Sequence, residues 1–302
     1  PGTVPDAMPG TEAELPEPEV AALPEAEGAA PSESTFTPAP SLDSNADGVI
    51  VGRLPRIGDA AESETPGQDA AETVPEADIR PIVQFAASFE NPEAKPVLAL
   101  VLIDPGTAEL DRAGLAALPF QVSFALDPMD PATPERAAIY RAAGKEVVML
   151  ATGIAEGAQA SDIEVAFQSM AQGLPEAVAV MDLAEPLFQD RRPIASLVVP
   201  VVGAQGRGIL TWDRGLNAAD QVARRDDVPA AVVFRDLGSA GTDSVAIRRV
   251  LDRAVFKAGQ DGRVAVAGTT SPELVAALLE WTVEGRAATV ALGPLTAVLT
   301  VE

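Results

Sequence analysis

One apolar run constrains the fold more than any other feature of this sequence. Val97 to Ile103 are seven consecutive apolar residues, and the run ends abruptly in Asp104, Pro105 and Gly106. A run of this length that turn residues close predicts a strand buried on both faces. Such strands belong to parallel sheets covered by helices. Asp104 is then expected at the carboxyl end of the strand, where open α/β sheets and β/α barrels place their functional side chains.

Strand-like and helix-like segments alternate from Pro96 onward, so the pattern βα recurs seven or eight times. The strand-like segments are Val97–Ile103, Gln121–Leu126, Glu146–Ala151, Ala177–Met181, Gly208–Trp212, Ala230–Phe234, Arg263–Ala267 and Ala288–Leu292. The helix-like segments are Ala108–Leu118, Pro134–Ala143, Ser161–Gln172, Asp190–Gln205 with a proline break, Asn217–Arg225, Asp243–Ala258 and Ser271–Trp281. The alternation predicts a single α/β domain over residues 96–302, either a small barrel or a doubly wound sheet.

The residues before this domain have a different composition. Residues 1–78 are rich in Pro, Ala and Glu, and such a tract buries too little apolar area to offset the entropy of ordering it. We therefore predict a long disordered acidic linker over 1–78, followed by a segment at 79–95 that packs on the domain. The chain has 45 acidic and 21 basic side chains, and the acids are densest in the first 95 residues. This balance argues against nucleic acid or an anionic lipid surface as a partner.

Two residue types are absent from the sequence, cysteine and histidine. Their absence excludes disulfides, thiolate chemistry, the commonest general base and the commonest ligand of transition metals. No run approaches the roughly 20 apolar residues that span a bilayer. Because the chain begins at Pro1 without a methionine, we expect a processed or truncated product whose export signal or membrane anchor would lie upstream.

Polar side chains follow most of the predicted strands, where a barrel would place its functional groups. They are Asp104, Asp127, Thr152, Asp182 with Glu185, Asp213, Arg235 with Asp236, and Thr269 with Thr270. Converging carboxylates could hold a hard cation or perform acid–base chemistry on a glycoside. Alternatively, Asp104, Asp127 and Asp213 are placed to cap the helices that follow them. Trp212 is either a stacking platform for a sugar or a core residue.

Several segments resemble those of the divergent polysaccharide deacetylase family, a branch of the NodB-like deacetylases. The resembling segments are Leu100–Gly106, Leu118–Pro128, Arg141–Leu150, Ala179–Ala184 and Val266–Thr270. The resemblance runs from about Pro96 to Leu299. It implies a distorted (β/α) barrel of about seven strands and a place in the bacterial envelope, in the periplasm.

The resemblance also implies which functional residues remain. Active relatives hold a divalent metal with one Asp and two His, and a second Asp acts as the base that removes an N-acetyl group. Only the first acid is kept here, as Asp104, while the position of the metal-binding acid is Pro105. The histidine positions correspond to Lys145, Leu150, Asp182 or Leu183, and Thr269. We therefore expect a degenerate member without a metal site or another cofactor.

Three hypotheses of function follow. The first is a non-catalytic protein of the cell envelope that binds glycan, peptidoglycan or a cell-wall protein at the strand ends. Its ligand-binding residues would be Asp104, Asp127, Thr152, Asp182, Trp212, Asp213, Arg235 and Thr269. The second is a carbohydrate hydrolase with Asp104 as base and Asp182, Glu185 or Asp213 as its partner. The third is a protein-interaction scaffold in which the cleft has no role.

Overall fold

The computed structural model of the chain describes Gly2 and residues 79–155, 157–241 and 243–299. Apart from Gly2, the predicted linker at 1–78 lies outside the described residues. Within them, eight strands alternate with helices. The strands are β1 (Val97–Ile103), β2 (Ser123–Leu126), β3 (Glu146–Leu150), β4 (Ala179–Met181), β5 (Gly208–Trp212), β6 (Ala230–Asp236), β7 (Arg263–Thr269) and β8 (Ala291–Gly293).

The strands form a closed parallel barrel. Each of β2 to β7 pairs with its neighbours in chain order, and β1 pairs with both β7 and β2. The prediction of an α/β barrel of about seven strands is therefore confirmed. The alternative of a doubly wound sheet is wrong, because an open sheet would leave β2 without its pairing to β1. The eighth strand, β8, pairs with β1 alone and lies beside the part of β1 that β2 does not reach.

Helices surround the barrel, and most lie close to their predicted positions. They are α1 (Pro81–Gln84), α2 (Arg112–Ala116), α3 (Thr133–Ala142), α4 (Ala160–Gly173), α5 (Arg192–Ala204), α6 (Ala218–Arg225), α7 (Ser244–Asp261) and α8 (Pro272–Thr282). Short 3-10 turns occupy Leu237–Ala240, Ala287–Thr289 and Leu295–Ala297. None of the helices in the described part of the chain combines the length and the apolar character of a membrane span.

Three of the differences between the predicted and the observed elements have a local cause. The helix predicted at Ala108–Leu118 is only α2, because the Asp111 side chain accepts a hydrogen bond from the Gly114 amide and starts the helix later. The predicted break in α5 is wrong, since the helix continues through Pro200 and buries apolar residues on both sides of it. The last strand begins three residues later than predicted because the 3-10 turn precedes it.

Strand side chains alternate between two apolar cores. On β1, Leu98, Leu100 and Leu102 lie between the barrel and the helices, whereas Ala99 and Val101 point into the barrel. Because this alternation has a period of two, the residue after a strand points either to the helices or into the barrel mouth. The register of each strand thus decides which strand-end side chains can meet.

The amino-terminal end of the barrel is closed by the segment before β1 and the segment after β8. Phe85 and Val298 pack in the core inside the barrel. Glu146, the first residue of β3, is fully buried and accepts hydrogen bonds from the backbone amides of Ala87 (3.0 Å) and Thr296 (3.1 Å). A buried carboxylate therefore ties the segment before β1 to the segment after β8. The opposite end, where the strands finish, is the barrel mouth.

Candidate functional site at the barrel mouth

Asp104 follows β1 but points to the helices, on the same side as Leu102, and its side chain is only 1% exposed. Its Oδ2 accepts hydrogen bonds from Arg112 Nε at 2.8 Å and from the Tyr140 hydroxyl at 2.9 Å. Its Oδ1 accepts from Arg112 Nη2 and from the Gly106 amide, both at 2.8 Å. Both oxygens are thus engaged by protein donors, and the carboxylate is turned away from the mouth.

These contacts fix the protonation states of the cluster around Asp104. Burial acts to raise the pKa of Asp104, but the hydrogen bonds from Arg112, Gly106 and Tyr140 outweigh it and hold the pKa below its usual value. Burial and the neighbouring carboxylate raise the pKa of the Tyr140 hydroxyl. Asp104 is therefore ionised at neutral pH, and Tyr140 remains a donor to it.

A second ion pair fastens the loop after β1 to α3. Arg136 Nη1 donates to Asp130 Oδ2 at 2.5 Å, and Arg136 Nη2 donates to the Gly106 carbonyl at 2.8 Å. Gly106 has φ +78°, a left-handed conformation that favours glycine. The Gly106 amide donates to Asp104 and the Gly106 carbonyl accepts from Arg136, so this residue links the two ion pairs.

Asp182 is also buried and is directed away from the mouth. Its Oδ1 accepts hydrogen bonds from the amides of Leu183 (2.8 Å) and Leu187 (2.9 Å). Its Oδ2 accepts from the amides of Phe188 (3.2 Å) and Gln189 (2.8 Å). Burial raises the pKa of Asp182, and these four donors oppose that effect. The carboxylate therefore stabilises the loop after β4 by accepting hydrogen bonds from four of its backbone N–H groups.

Asp127 and Thr152 lie on the mouth side, in register with Ala125 and Leu150 of the interior core. Asp127 Oδ1 accepts hydrogen bonds from the Met129 amide at 2.9 Å and from Thr152 Oγ1 at 2.5 Å. Among the described residues, no partner engages Asp127 Oδ2. One carboxylate oxygen therefore holds the local structure while the other can accept a hydrogen bond from a ligand.

Trp212 forms part of the floor of the mouth. Its indole lies in the interior core, is 5% exposed, and donates from Nε1 to the Asp182 carbonyl at 2.9 Å. Gln189 fixes its backbone, because the Trp212 amide donates to Gln189 Oε1 at 2.7 Å and Gln189 Nε2 donates to the Trp212 carbonyl at 3.0 Å. The arrangement fits the core alternative better than a fully open stacking platform.

An exposed ion pair lies at the rim of the mouth beside Trp212. Its acid, Asp213, is on the outer side of β5, because it alternates with the interior residues Leu210 and Trp212. Arg235 Nη1 donates to Asp213 Oδ2 at 3.0 Å, and the guanidinium lies 4.2 Å from the centroid of the Phe234 ring. These side chains and Trp212 line a cavity of about 200 Å³. The cavity thus offers an aromatic edge, a cation and an anion to a polar ligand.

Thr269 is the last residue of β7, on the interior side, and is exposed, whereas Thr270 is buried and donates from Oγ1 to the Ile103 carbonyl at 2.9 Å. Glu185 is exposed in the loop after β4. The structure therefore places one group of predicted residues at the mouth, which we call the mouth set: Asp127, Thr152, Trp212, Asp213, Arg235 and Thr269. Asp104 and Asp182 lie outside this set.

The alternative that Asp104, Asp127 and Asp213 cap the helices after them is wrong. α2 is capped by Asp111 and α6 by Asn217, while α3 begins without a side-chain cap. Asp127 instead accepts a hydrogen bond from the amide two residues ahead of it, and Asp104 does the same. The acids thus stabilise the turns that leave the strands and not the helices themselves.

Three residues that organise the site were not identified from the sequence. Arg112 and Tyr140 come from α2 and α3, and Gln189 comes from the loop after β4. The sequence held one indication of Arg112 and Tyr140. The alternation of side chains along β1 turns Asp104 toward the helices, and a carboxylate buried there requires a hydrogen-bond donor.

The donor set does not fit the divalent metal that deacetylase chemistry uses. Pro105 and Leu150 offer no ligand atom, and Asp104 is already paired with Arg112. Among the described residues, no three acidic side chains come together in a way that could hold a metal ion. We therefore derive no step through a metal.

Comparison with known proteins places the chain in a family. The family model described as divergent polysaccharide deacetylase matches residues 100–299. An uncharacterized protein, ATU2773, from Agrobacterium tumefaciens C58 has a similar structure, with a TM-score of 0.64 and 18% identity over 72% of this chain and 94% of that one. At this identity the likeness shows the fold alone.

A more distant likeness is to the catalytic domain of a peptidoglycan N-acetylglucosamine deacetylase from Eubacterium rectale. It has a TM-score of 0.38 and 12% identity over 72% of this chain and 96% of that domain. No match was found among curated proteins.

Proposed function

This chain belongs to the divergent polysaccharide deacetylase family, and on that premise we propose that it is a non-catalytic protein of the bacterial cell envelope that binds glycan, such as peptidoglycan, through the mouth set. Family membership supports a carbohydrate-related function. The further steps, binding without turnover and action in the envelope, are our proposal.

The observation that carries this proposal is the state of Asp104. Of the acids that catalyse deacetylation in active relatives, the resemblance leaves only this one. Its carboxylate is buried and paired with Arg112, and both oxygens are engaged. A general base must reach the proton that it removes, through a hydrogen bond or one water. Asp104 is therefore assigned a structural role.

The mouth set suits binding of a neutral or zwitterionic glycan. Asp127 Oδ2 and the hydroxyl of Thr269 offer hydrogen bonds, and the pair of Asp213 and Arg235 offers both signs of charge on a half-exposed surface. Sugar hydroxyls and N-acetyl groups require such mixed donors and acceptors. The ring of Phe234 adds apolar surface beside them, and the largely buried Trp212 contributes only its edge to the same cavity.

The test is a titration of the full chain with an N-acetylglucosamine oligomer, followed by NMR, together with an assay for released acetate with added zinc, cobalt or manganese. We expect saturable shifts at the mouth set and no acetate. Absence of binding would contradict the proposal. Release of acetate that depends on Asp104 would contradict the non-catalytic role and favour the hydrolase alternative.

A matched pair of variants distinguishes glycan binding at the mouth from binding elsewhere on the protein surface. Arg235→Gln removes the cation of the mouth, whereas Arg248→Gln removes an arginine that pairs with Glu284 at 2.8 Å on the outer helices. We expect Arg235→Gln to weaken glycan binding about tenfold, the effect of one charge-assisted hydrogen bond of about 1.4 kcal/mol, and Arg248→Gln to leave it unchanged. Fractionation of cells that express the natural gene tests the envelope location.

A further inference from the structure

The barrel wall has a fissure between β6 and β7. β6 pairs with β5 from Ala230 to Val233, but its pairing with β7 begins only at Val233, opposite Ala265. On β7, Arg263 pairs with β1 and not with β6. The two strands thus diverge at their amino-terminal ends. In the described structure, no strand pairs with Ala230–Val232 on the side that faces β7.

The fissure is a cavity of about 400 Å³ that reaches from the surface into the barrel. Its lining includes Ala230 and Val232 of β6, Arg263 of β7 and, at its inner end, Val298 of the interior core. The first three residues of β6 are half-buried, whereas β2, β3, β4 and β5 are buried throughout. An unpaired stretch of strand of this kind is a template for pairing with another chain.

The same barrel contains a second divergence, and there the gap is filled. β1 and β2 pair only from Val101 to Ile103 of β1. Beside the unpaired part of β1, the three-residue strand β8 pairs in parallel with Val97–Ala99. In this barrel a short extended segment therefore fills one gap between two diverging strands.

We propose that the fissure between β6 and β7 binds a short extended segment of a partner protein, which pairs in parallel with Ala230–Val232 as β8 pairs with β1. Main-chain hydrogen bonds to a free strand edge provide affinity in such complexes, and the pockets beside the edge provide specificity. This surface lies on the side of the barrel, and of the mouth set only Asp213 also lines its cavity.

The charges and pockets beside the fissure define the chemistry of the segment. Among the described residues Arg263 has no ion-pair partner, whereas the other charged side chains of the lining are paired. The pairs are Lys257 with Asp261 at 2.8 Å, Arg224 with Asp220 at 3.0 Å and Asp213 with Arg235 at 3.0 Å. A neighbouring cavity of about 420 Å³ shares Lys257 with the fissure and is bordered by Phe256, which is 68% exposed. The segment should therefore carry small and aliphatic residues with an acidic residue beside them.

The probe for this site is the peptide acetyl-Glu-Val-Ala-Leu-Gly-Glu-amide, which places the sequence of Val290–Gly293 between two glutamates. It is titrated into the isotope-labelled full chain and followed by NMR and by amide hydrogen exchange. We expect saturable shifts and at least tenfold slower exchange within Ala230–Val232 and at Arg263. The same peptide with N-methylated Ala and Leu should not bind, because it lacks the required donors.

Two protein variants complete the test. Ala230→Phe should fill the fissure and abolish the shifts, whereas Ala113→Phe on the exposed face of α2 should not. Arg263→Glu should weaken binding of the glutamate peptide at least fivefold and leave a glutamine-flanked peptide unaffected. The proposal is overturned if the peptide produces no shifts, if the N-methylated peptide binds equally well, or if the shifts lie elsewhere. None of these variants changes Asp213, the one residue shared with the mouth set, so their outcomes do not decide whether glycan binds at the mouth.

Discussion

The barrel carries a buried carboxylate at each end, and the two are stabilised in different ways. At the carboxyl end of the strands, Asp104 is bonded to the Arg112 guanidinium, and its pKa lies below the usual value. At the amino-terminal end, Glu146 is bonded only to neutral groups of Ala87, Ser123 and Thr296, and burial raises its pKa. The Arg112 cation helps to outweigh the effect of burial on the pKa of Asp104. Four neutral hydrogen bonds offset only part of the effect of burial on the pKa of Glu146.

Loss of the cation should produce the largest effect. Arg112→Met leaves the Asp104 carboxylate buried without its counter-ion, which should lower the free energy of unfolding by about 3–5 kcal/mol. Urea denaturation measures this change. The double variant Arg112→Met with Asp104→Leu should recover much of the loss, because it removes both charges. A loss below 1 kcal/mol in the single variant would contradict the assigned role of this ion pair.

Glu146→Gln should have a smaller effect. Each carboxylate oxygen accepts a backbone N–H, Oε1 from Ala87 and Oε2 from Thr296, so the amide nitrogen of Gln faces a donor in either orientation. We expect a loss of about 1–3 kcal/mol in urea denaturation. Faster hydrogen exchange at Ala87 and Thr296 would locate the effect. The control Thr296→Val removes only a hydroxyl donor and should cost less.

Tyr140→Phe tests one neutral donor within the ionic cluster. The hydroxyl donates to Asp104 at 2.9 Å, while the ring stacks on Phe124 at a centroid distance of 3.8 Å. The variant keeps the stacking and removes the hydrogen bond. The free energy of unfolding should fall by about 1–2 kcal/mol, as expected for a hydrogen bond to a charged group. A loss as large as that of Arg112→Met would show that the two donors are equivalent.

The contributions of the two carboxylates to the free energy of unfolding should change with pH in opposite directions. These changes should be smaller than the losses expected for the variants above. For Asp104, whose folded pKa is lowered, the contribution to stability is present above the unfolded value near 3.8 and is lost as pH falls through the folded pKa. For Glu146, whose folded pKa is raised, the contribution is present below the unfolded value near 4.5 and is lost as pH rises through the folded pKa.

Unfolding of the wild type, Asp104→Asn and Glu146→Gln across pH 2–8 measures both slopes. The advantage of the wild type over Asp104→Asn should shrink toward low pH. The wild type should lose stability relative to Glu146→Gln as pH rises. If both stability differences changed with pH in the same direction, the contrast drawn between Asp104 and Glu146 would be wrong.

The fold was predictable from the sequence because it rests on periodic apolar segments. The strands β1 and β5 have the predicted bounds, since each is an uninterrupted apolar or β-branched run closed by a turn. β8 was misplaced because its residues lack a periodic pattern and follow a 3-10 turn. The barrel closure itself depends on the pairing of β1 with β2, which local pattern alone did not distinguish from an open sheet.

The site was predictable only in part, because strand-end positions were identified without the direction of each side chain. Asp104 and Asp127 have similar sequence contexts, each followed by proline, yet they point to opposite sides of the barrel. The register of β1 and β2 decides this difference. The partners of Asp104 come from α2 and α3, and contacts of this kind leave no local pattern.

The position of β1 has a consequence for synthesis of the chain. This seven-residue apolar strand is made early, but the partner that covers its full length, β7, begins only at Arg263, and β8 follows at Ala291. A nascent chain therefore exposes an aggregation-prone segment until most of the domain has left the ribosome. Folding should accordingly be slow, because the pairings that cover Val97–Ile103 join distant parts of the chain.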